Sequence, residues 1–252
     1  MMKRKLGSTN LEVSIIGFGG IPISYLPLNE AIEVIRYAFN KGINFFDTAR
    51  AYGDSEEKIG IALKDVREKC IIATKTHHKT KEEAAKKGLE ISLSKLKTDR
   101  IDLVQLHGID DEDTLKKAIS KNGSLSALKE AKRKGIIDFI GISSHNPEIL
   151  CKALKTNEFD TVMAPFNLVN RNAEKIFPLI KEMNIGLIIM KPFGGSLNER
   201  SIEMKKLLSG DLYSSAKKAL SFILNYEEVS TIIPGFSSKE EIDAAINVLS
   251  LY

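Results

Sequence analysis

The sequence predicts a (β/α)8 barrel of the TIM-barrel class, closed at its bottom by an N-terminal β-hairpin. Three observations carry this. Short β-branched runs alternate with longer amphipathic segments, eight times over. The length of 252 residues suits one closed barrel. No linker or low-complexity stretch divides residues 1–252, so they read as a single domain. An open doubly wound sheet would use fewer strands.

Each element has its own signal. The strands are read at Ser14–Phe18, Asn44–Asp47, Ile71–Lys75, Ile101–His107, Phe139–Ser143, Thr161–Pro165, Leu187–Lys191 and Thr231–Pro234. Helical periodicity covers Leu28–Lys41, Glu56–Lys64, Lys81–Leu96, Leu125–Lys134, Pro147–Thr156, Ala173–Met183, Ser214–Asn225 and Lys239–Leu251. Start signals are Asn29 before Glu30, Asn146-Pro147, and Ser238 before Lys239-Glu240-Glu241. The leading Lys3–Val13 stretch, with Gly7-Ser8-Thr9-Asn10 as its turn, is the hairpin.

Composition narrows the function classes. A net charge of +4, spread along the chain without aromatic interleaving, argues against nucleic acid as a partner. No apolar run reaches membrane-spanning length, and Met1-Met2-Lys3 leads into no signal-peptide core, so a cytoplasmic protein with no membrane partner is expected. Cys70 and Cys151 sit in no metal-binding spacing, so they are expected to be free, buried thiols, and no metal site is predicted. A monomer is expected.

Function in such a barrel gathers at the C-terminal ends of the strands. There the second strand delivers Asp47, the third Lys75 and the fourth His107, with Tyr52 in the loop after Asp47. Singly these read as a cap, a snorkelling lysine and a satisfied core histidine; convergence on one rim favours catalysis. A phenol's ordinary pKa near 10 is high for a proton donor. A neighbouring ammonium lowers it, and a carboxylate holds that ammonium charged. A neutral imidazole can donate to a carbonyl oxygen. The set suits carbonyl reduction, and because no side chain supplies hydride, a nicotinamide cofactor is required.

DTARAYG (Asp47–Gly53), IIATK ending in Lys75 and LVQLH ending in His107 resemble the catalytic tetrad of the aldo-keto reductase family. LGSTNLEVSIIGFGG, YGDSEEKIGIAL, IGISSHN and STIIPG extend the likeness over nearly the whole chain. The resemblance implies reduction of an aldehyde or ketone, a small-molecule carbonyl, with Tyr52 as proton donor and NADP(H) as cofactor. Cofactor contacts carried over in this way are Gly20, Ser143, Ser144, Asn167, Met190, Lys191, Pro192, Gly235, Ser237, Ser238 and Lys239. Met163 stands where a strand-6 glutamine is frequent, and Met190 where a tyrosine often stacks on nicotinamide. The Met-Lys-Pro stretch is similar to a subgroup in which some members carry a cysteine-rich iron–sulfur tail, which this sequence does not contain. At the place of the usual arginine for a 2′-phosphate stands Glu241, followed by Ala244-Ala245 where a Glu-Asn pair is usual; this keeps NAD(H) open as the alternative.

Two other readings remain. One is a nucleotide-binding redox-sensing or regulatory barrel with little turnover. The other makes Lys75 a Schiff-base nucleophile, which a partner Asp47 opposes. The segments Gly108–Ser124 and Gly194–Leu212 are the expected specificity loops, the first with the acidic run Asp110–Asp113 as solvated loop and helix start. With Tyr252 directly after the last helix, a comparatively open site and loose selectivity are expected.

Overall fold

A computed structural model describes residues 1–77, 80–195 and 199–252. Eight parallel strands surround the core: β1 (Phe18–Gly19), β2 (Phe45–Asp47), β3 (Ile71–Thr76), β4 (Ile101–Leu106), β5 (Ile137–Ser143), β6 (Thr161–Pro165), β7 (Gly186–Met190) and β8 (Val229–Ile233). The sheet closes where β8 meets the chain entering β1. Gly17 N donates to Ile232 O at 2.7 Å, Ile232 N to Ile15 O at 2.8 Å, and Gly19 N to Pro234 O at 2.7 Å. Gly19 is needed for that approach, because a Cβ there would lie 2.7 Å from the Pro234 oxygen.

The first barrel strand is thus shorter than predicted, and Ser14 belongs to the hairpin instead. The hairpin pairs Lys3–Lys5 with Glu12–Ser14 in antiparallel register, around a 3-10 turn at Gly7–Thr9. Arg4 fastens it to the β8 entrance, donating to the carbonyls of Leu224, Tyr226 and Val229. Leu6 and Val13, both fully buried, plug the barrel beneath Phe45, Leu103 and Ile188. A larger apolar layer fills the space between strands and helices. Burying such side chains contributes about 1.5–3 kcal/mol each, which holds the helices to the strands.

Local departures have local causes. The predicted helix at Lys81–Leu96 is divided into Lys81–Glu83, a π-helical stretch at Ala84–Glu90 and Ile91–Leu96; Gly88, a weak helix former, lies in the wide part. The acidic run is a loop and helix start, as read from the sequence. Asp111 caps a helix at Glu112–Ile119 through its Thr114 N–H, and Glu112 and Asp113 occupy the favourable first turn. A further helix, Glu199–Leu207, occupies part of the segment 194–212, of which 196–198 lie outside the described residues. Asn29 is not a cap, since the helix Leu28–Asn40 starts ahead of it with Pro27 at the cap position. Asn146 and Ser238 do cap their helices, Ser238 in a capping box with Glu241. Both cysteines are free, but only Cys70 is buried, its thiol pushed up to about 12 by burial; Cys151 is half-buried. Among the described residues, no helix is long and apolar enough to cross a membrane.

Candidate active site

The strand ends bring the predicted tetrad together. Asp47 ends β2, Lys75 lies in β3, and His107 immediately follows β4, its N–H donating to Thr76 O at 2.9 Å. Lys75 Nζ donates to Asp47 Oδ2 at 2.6 Å and to Thr48 O at 2.8 Å. The same ammonium is 4.9 Å from the Tyr52 ring centre, and the Tyr52 and His107 rings meet edge-on at 5.6 Å. Asp47 and Lys75 are 2% and 1% exposed, so this ion pair is almost fully removed from water.

Burial pulls Lys75 down, but Asp47 and then Tyr52 outweigh it and hold the ammonium above the ordinary lysine range. Burial likewise dominates Tyr52. Lys75 lowers the phenol, as anticipated, yet burial and the Asp47 charge overcome it and the net displacement is upward. The expectation of an acidified phenol is therefore corrected: burial holds Tyr52 above the ordinary tyrosine range. Burial and the Lys75 charge, with His77 and His145 beyond, push His107 down to about 4, so its imidazole is neutral at physiological pH.

The loop bearing Tyr52 is fixed by residues whose part was not apparent beforehand. Glu56 is fully buried and accepts from Thr74 Oγ1 at 2.7 Å, Ser92 Oγ at 2.6 Å and the Arg50 guanidinium. It thereby ties the neighbour of Lys75 to the segment leading into Tyr52, and Arg50 N donates to Lys75 O at 3.1 Å. Thr48 Oγ1, Ser55 Oγ and Gly20 O form a second chain of bonds at the loop's base.

A cavity of about 650 Å³ opens over the tetrad. Of the residues expected from the resemblance to meet the cofactor, Gly20, Ser143, Met190, Lys191, Pro192 and Gly235 line this cavity, together with Met163. Ser144, Asn167, Ser237, Ser238 and Lys239 do not. Ser144 is buried and donates to Asp110 and Asn146 O. Asn167 spends its amide on Lys191 O at 2.9 Å and on the Val169 and Asn170 N–H groups, holding Lys191 at φ 57°. Glu241 Oε2 accepts from Ser237 N, Ser237 Oγ and Ser238 N, while Lys239 pairs with Glu33 at 2.9 Å.

Ile21, His145 and Phe193 also line the cavity, without having been singled out. His145 joins three loops: its Nδ1 faces Asp110 Oδ2 at 3.0 Å and its Nε2 accepts from Lys191 Nζ at 2.9 Å. The His145 bond, ahead of opposing burial, holds Asp110 down at about 2. Burial lowers Lys191. The tripeptide Ser-His-Asn after the fifth strand contained this signal, but its partners come from other loops.

Residues 15–251 match the family model described as the aldo/keto reductase family. The chain belongs to that family. Among relatives of this aldo-keto reductase, an uncharacterized oxidoreductase, YqkF, of Bacillus subtilis is 30% identical over 96% of this chain and 89% of its own. L-galactose dehydrogenase of Arabidopsis thaliana is 29% identical over 95% and 85%. The holo form of aldo-keto reductase AKR11C1 from Bacillus halodurans superposes with a TM-score of 0.82 at 28% identity, over 99% of this aldo-keto reductase and 91% of that chain. An oxidoreductase on a (β/α)8 barrel is therefore the established frame for the site.

Proposed function

We propose that this chain reduces aldehydes or ketones to alcohols with a nicotinamide nucleotide, Tyr52 giving the proton. The observation that carries this is the buried Lys75–Asp47 pair beside Tyr52 and a neutral His107, all facing one cavity. His107 can donate to the oxygen of a carbonyl and fix its direction. As negative charge develops on that oxygen, the Tyr52 proton moves to it, and Lys75 stabilises the phenolate left behind. Asp47 keeps Lys75 charged throughout. A lysine held above its ordinary range is unsuited to Schiff-base attack, which disfavours the aldolase reading.

The cavity fits a nicotinamide nucleotide. Gly20 and Gly235 line it and put no side chain into it. Met190 offers a polarizable surface and Lys191 a positive charge. When bound, the nucleotide supplies hydride to the carbonyl carbon.

The Glu241 arrangement favours NAD(H) over the NADP(H) implied by resemblance. Its carboxylate already occupies the N–H groups at the start of the helix Lys239–Asn247, and Lys239 is paired elsewhere. A 2′-phosphate there would meet negative charge in place of free donors. Direct titration with NADH and NADPH, followed by a panel of aldehydes, tests both parts. Tighter NADH binding, with Glu241→Arg moving the preference toward NADPH, is expected. NADPH bound more tightly by the unaltered protein would overturn the cofactor choice, and no carbonyl turnover with either nucleotide would overturn the activity.

A further inference from the structure

Beneath the tetrad the barrel carries a polar layer. Lys75 pairs in register with Gln105, Gln105 with Gly141, Gly141 with Thr161 and Thr161 with Gly186. The glycine on β5 makes room for its two neighbours. A Cβ on Gly141 would lie 2.3 Å from Thr161 Oγ1 and 2.9 Å from Gln105 Cγ. Gln105, the sole glutamine of the chain, is fully buried. Its Nε2 donates to Asp47 Oδ1 at 3.3 Å, while Lys75 takes Oδ2. Among the described residues its own Oε1 has no partner, and neither has Thr161 Oγ1. A buried amide oxygen left unbonded is costly. Leucine would fill this space without that cost, so the amide's gain lies at its donor end.

We propose that Gln105 is a positioning residue: it holds Asp47 Oδ1 so that Oδ2 alone faces Lys75. A neutral donor suits this place. A second cation would compete with Lys75 for the carboxylate, and a second acid would share its proton. The titratable groups facing the pair are Tyr52 and, past its ring, His107. The catalytic consequence rests on the function proposed above; the positioning itself does not. Without the amide bond, Asp47 takes up a proton at higher pH, and Lys75 loses its counter-charge sooner as the solution is acidified. Burial already raises Asp47, and Lys75 and Gln105 oppose that rise.

The test is Gln105→Leu and the less perturbing Gln105→Met, with Gly141→Ala displacing Gln105 indirectly. Two readouts are taken on each: the Asp47 carboxyl titration by ¹³C NMR, assigned with Asp47→Asn, and the pH profile of kcat. The Asp47 midpoint and the acid limb of kcat should both move up by about one pH unit. In the overlap, kcat should fall about tenfold, while KM and nucleotide Kd change less than twofold. A variant that melts earlier but leaves the midpoint and the limb in place would overturn the proposal. If the unaltered protein turns over no carbonyl, the activity reading fails, and the NMR midpoint still decides the role of Gln105.

Discussion

The two ends of the barrel each carry a sizeable, charge-lined cavity, and they differ in what burial does to the charges. At the bottom, about 440 Å³ is bordered by Lys5, Lys181, Glu227 and Asn184 beside the hairpin turn. Lys5, Lys181 and Glu227 are exposed, so water solvates them whether or not anything binds. At the top, Asp47 and Lys75 have almost no contact with solvent. Removing two charges from water costs several kcal/mol per ion before their attraction offsets it. A fold gains little stability by such an arrangement, and it is tolerated where the charge has work to do. Cavity size alone would not have separated the two ends.

The contrast can be broken most sharply at Lys75. Lys75→Met should leave Asp47 buried without its partner and destabilise the protein by about 3–5 kcal/mol in a urea melt. Adding Asp47→Leu should recover most of that stability and none of the carbonyl turnover. Recovery of turnover with stability would show the pair to be structural.

His107 gives a smaller, pH-dependent effect. Its folded pKa lies at about 4 against an ordinary 6.5, so the neutral form is favoured by folding. The stability it contributes is complete above about pH 6.5 and is lost as pH falls toward 4. Partial exposure reduces the loss to about 2 kcal/mol. Urea midpoints measured from pH 7 to 4 should fall more steeply for the unaltered protein than for His107→Gln.

The helix cap comes next. Ser238→Ala removes one half of the capping box and should cost about 1 kcal/mol, read as a small drop in melting temperature. The smallest effect is expected at the bottom cavity. Lys5→Ala and Glu227→Gln should change stability by less than about 0.5 kcal/mol and leave turnover unchanged. A large loss from either would place function at both ends.

The tetrad was legible because each member ends or follows an apolar run, where a polar residue stands out against β-branched neighbours. The hairpin was legible from its Gly-Ser-Thr-Asn turn. The supports were not. Glu56, Thr74 and Ser92 come from three separate elements, and only the closed barrel brings the two hydroxyls to 2.7 Å and 2.6 Å from the Glu56 carboxylate. Of the helix Glu112–Ile119 the sequence showed the start, in its acidic run, and not the extent; it is 8 residues long, with Leu115 and Ala118 as its buried positions. The upward displacement of Tyr52 likewise depends on burial, a quantity that a list of neighbouring charges does not contain.

Tyr52→Phe tests the central claim most directly, because it removes one oxygen and leaves the ion pair, the imidazole and the cavity in place. Steady-state reduction of an aldehyde by the unaltered protein and the variant should differ by about a thousandfold in kcat, with nucleotide affinity within twofold. Turnover by the variant within tenfold of the unaltered protein would contradict the account.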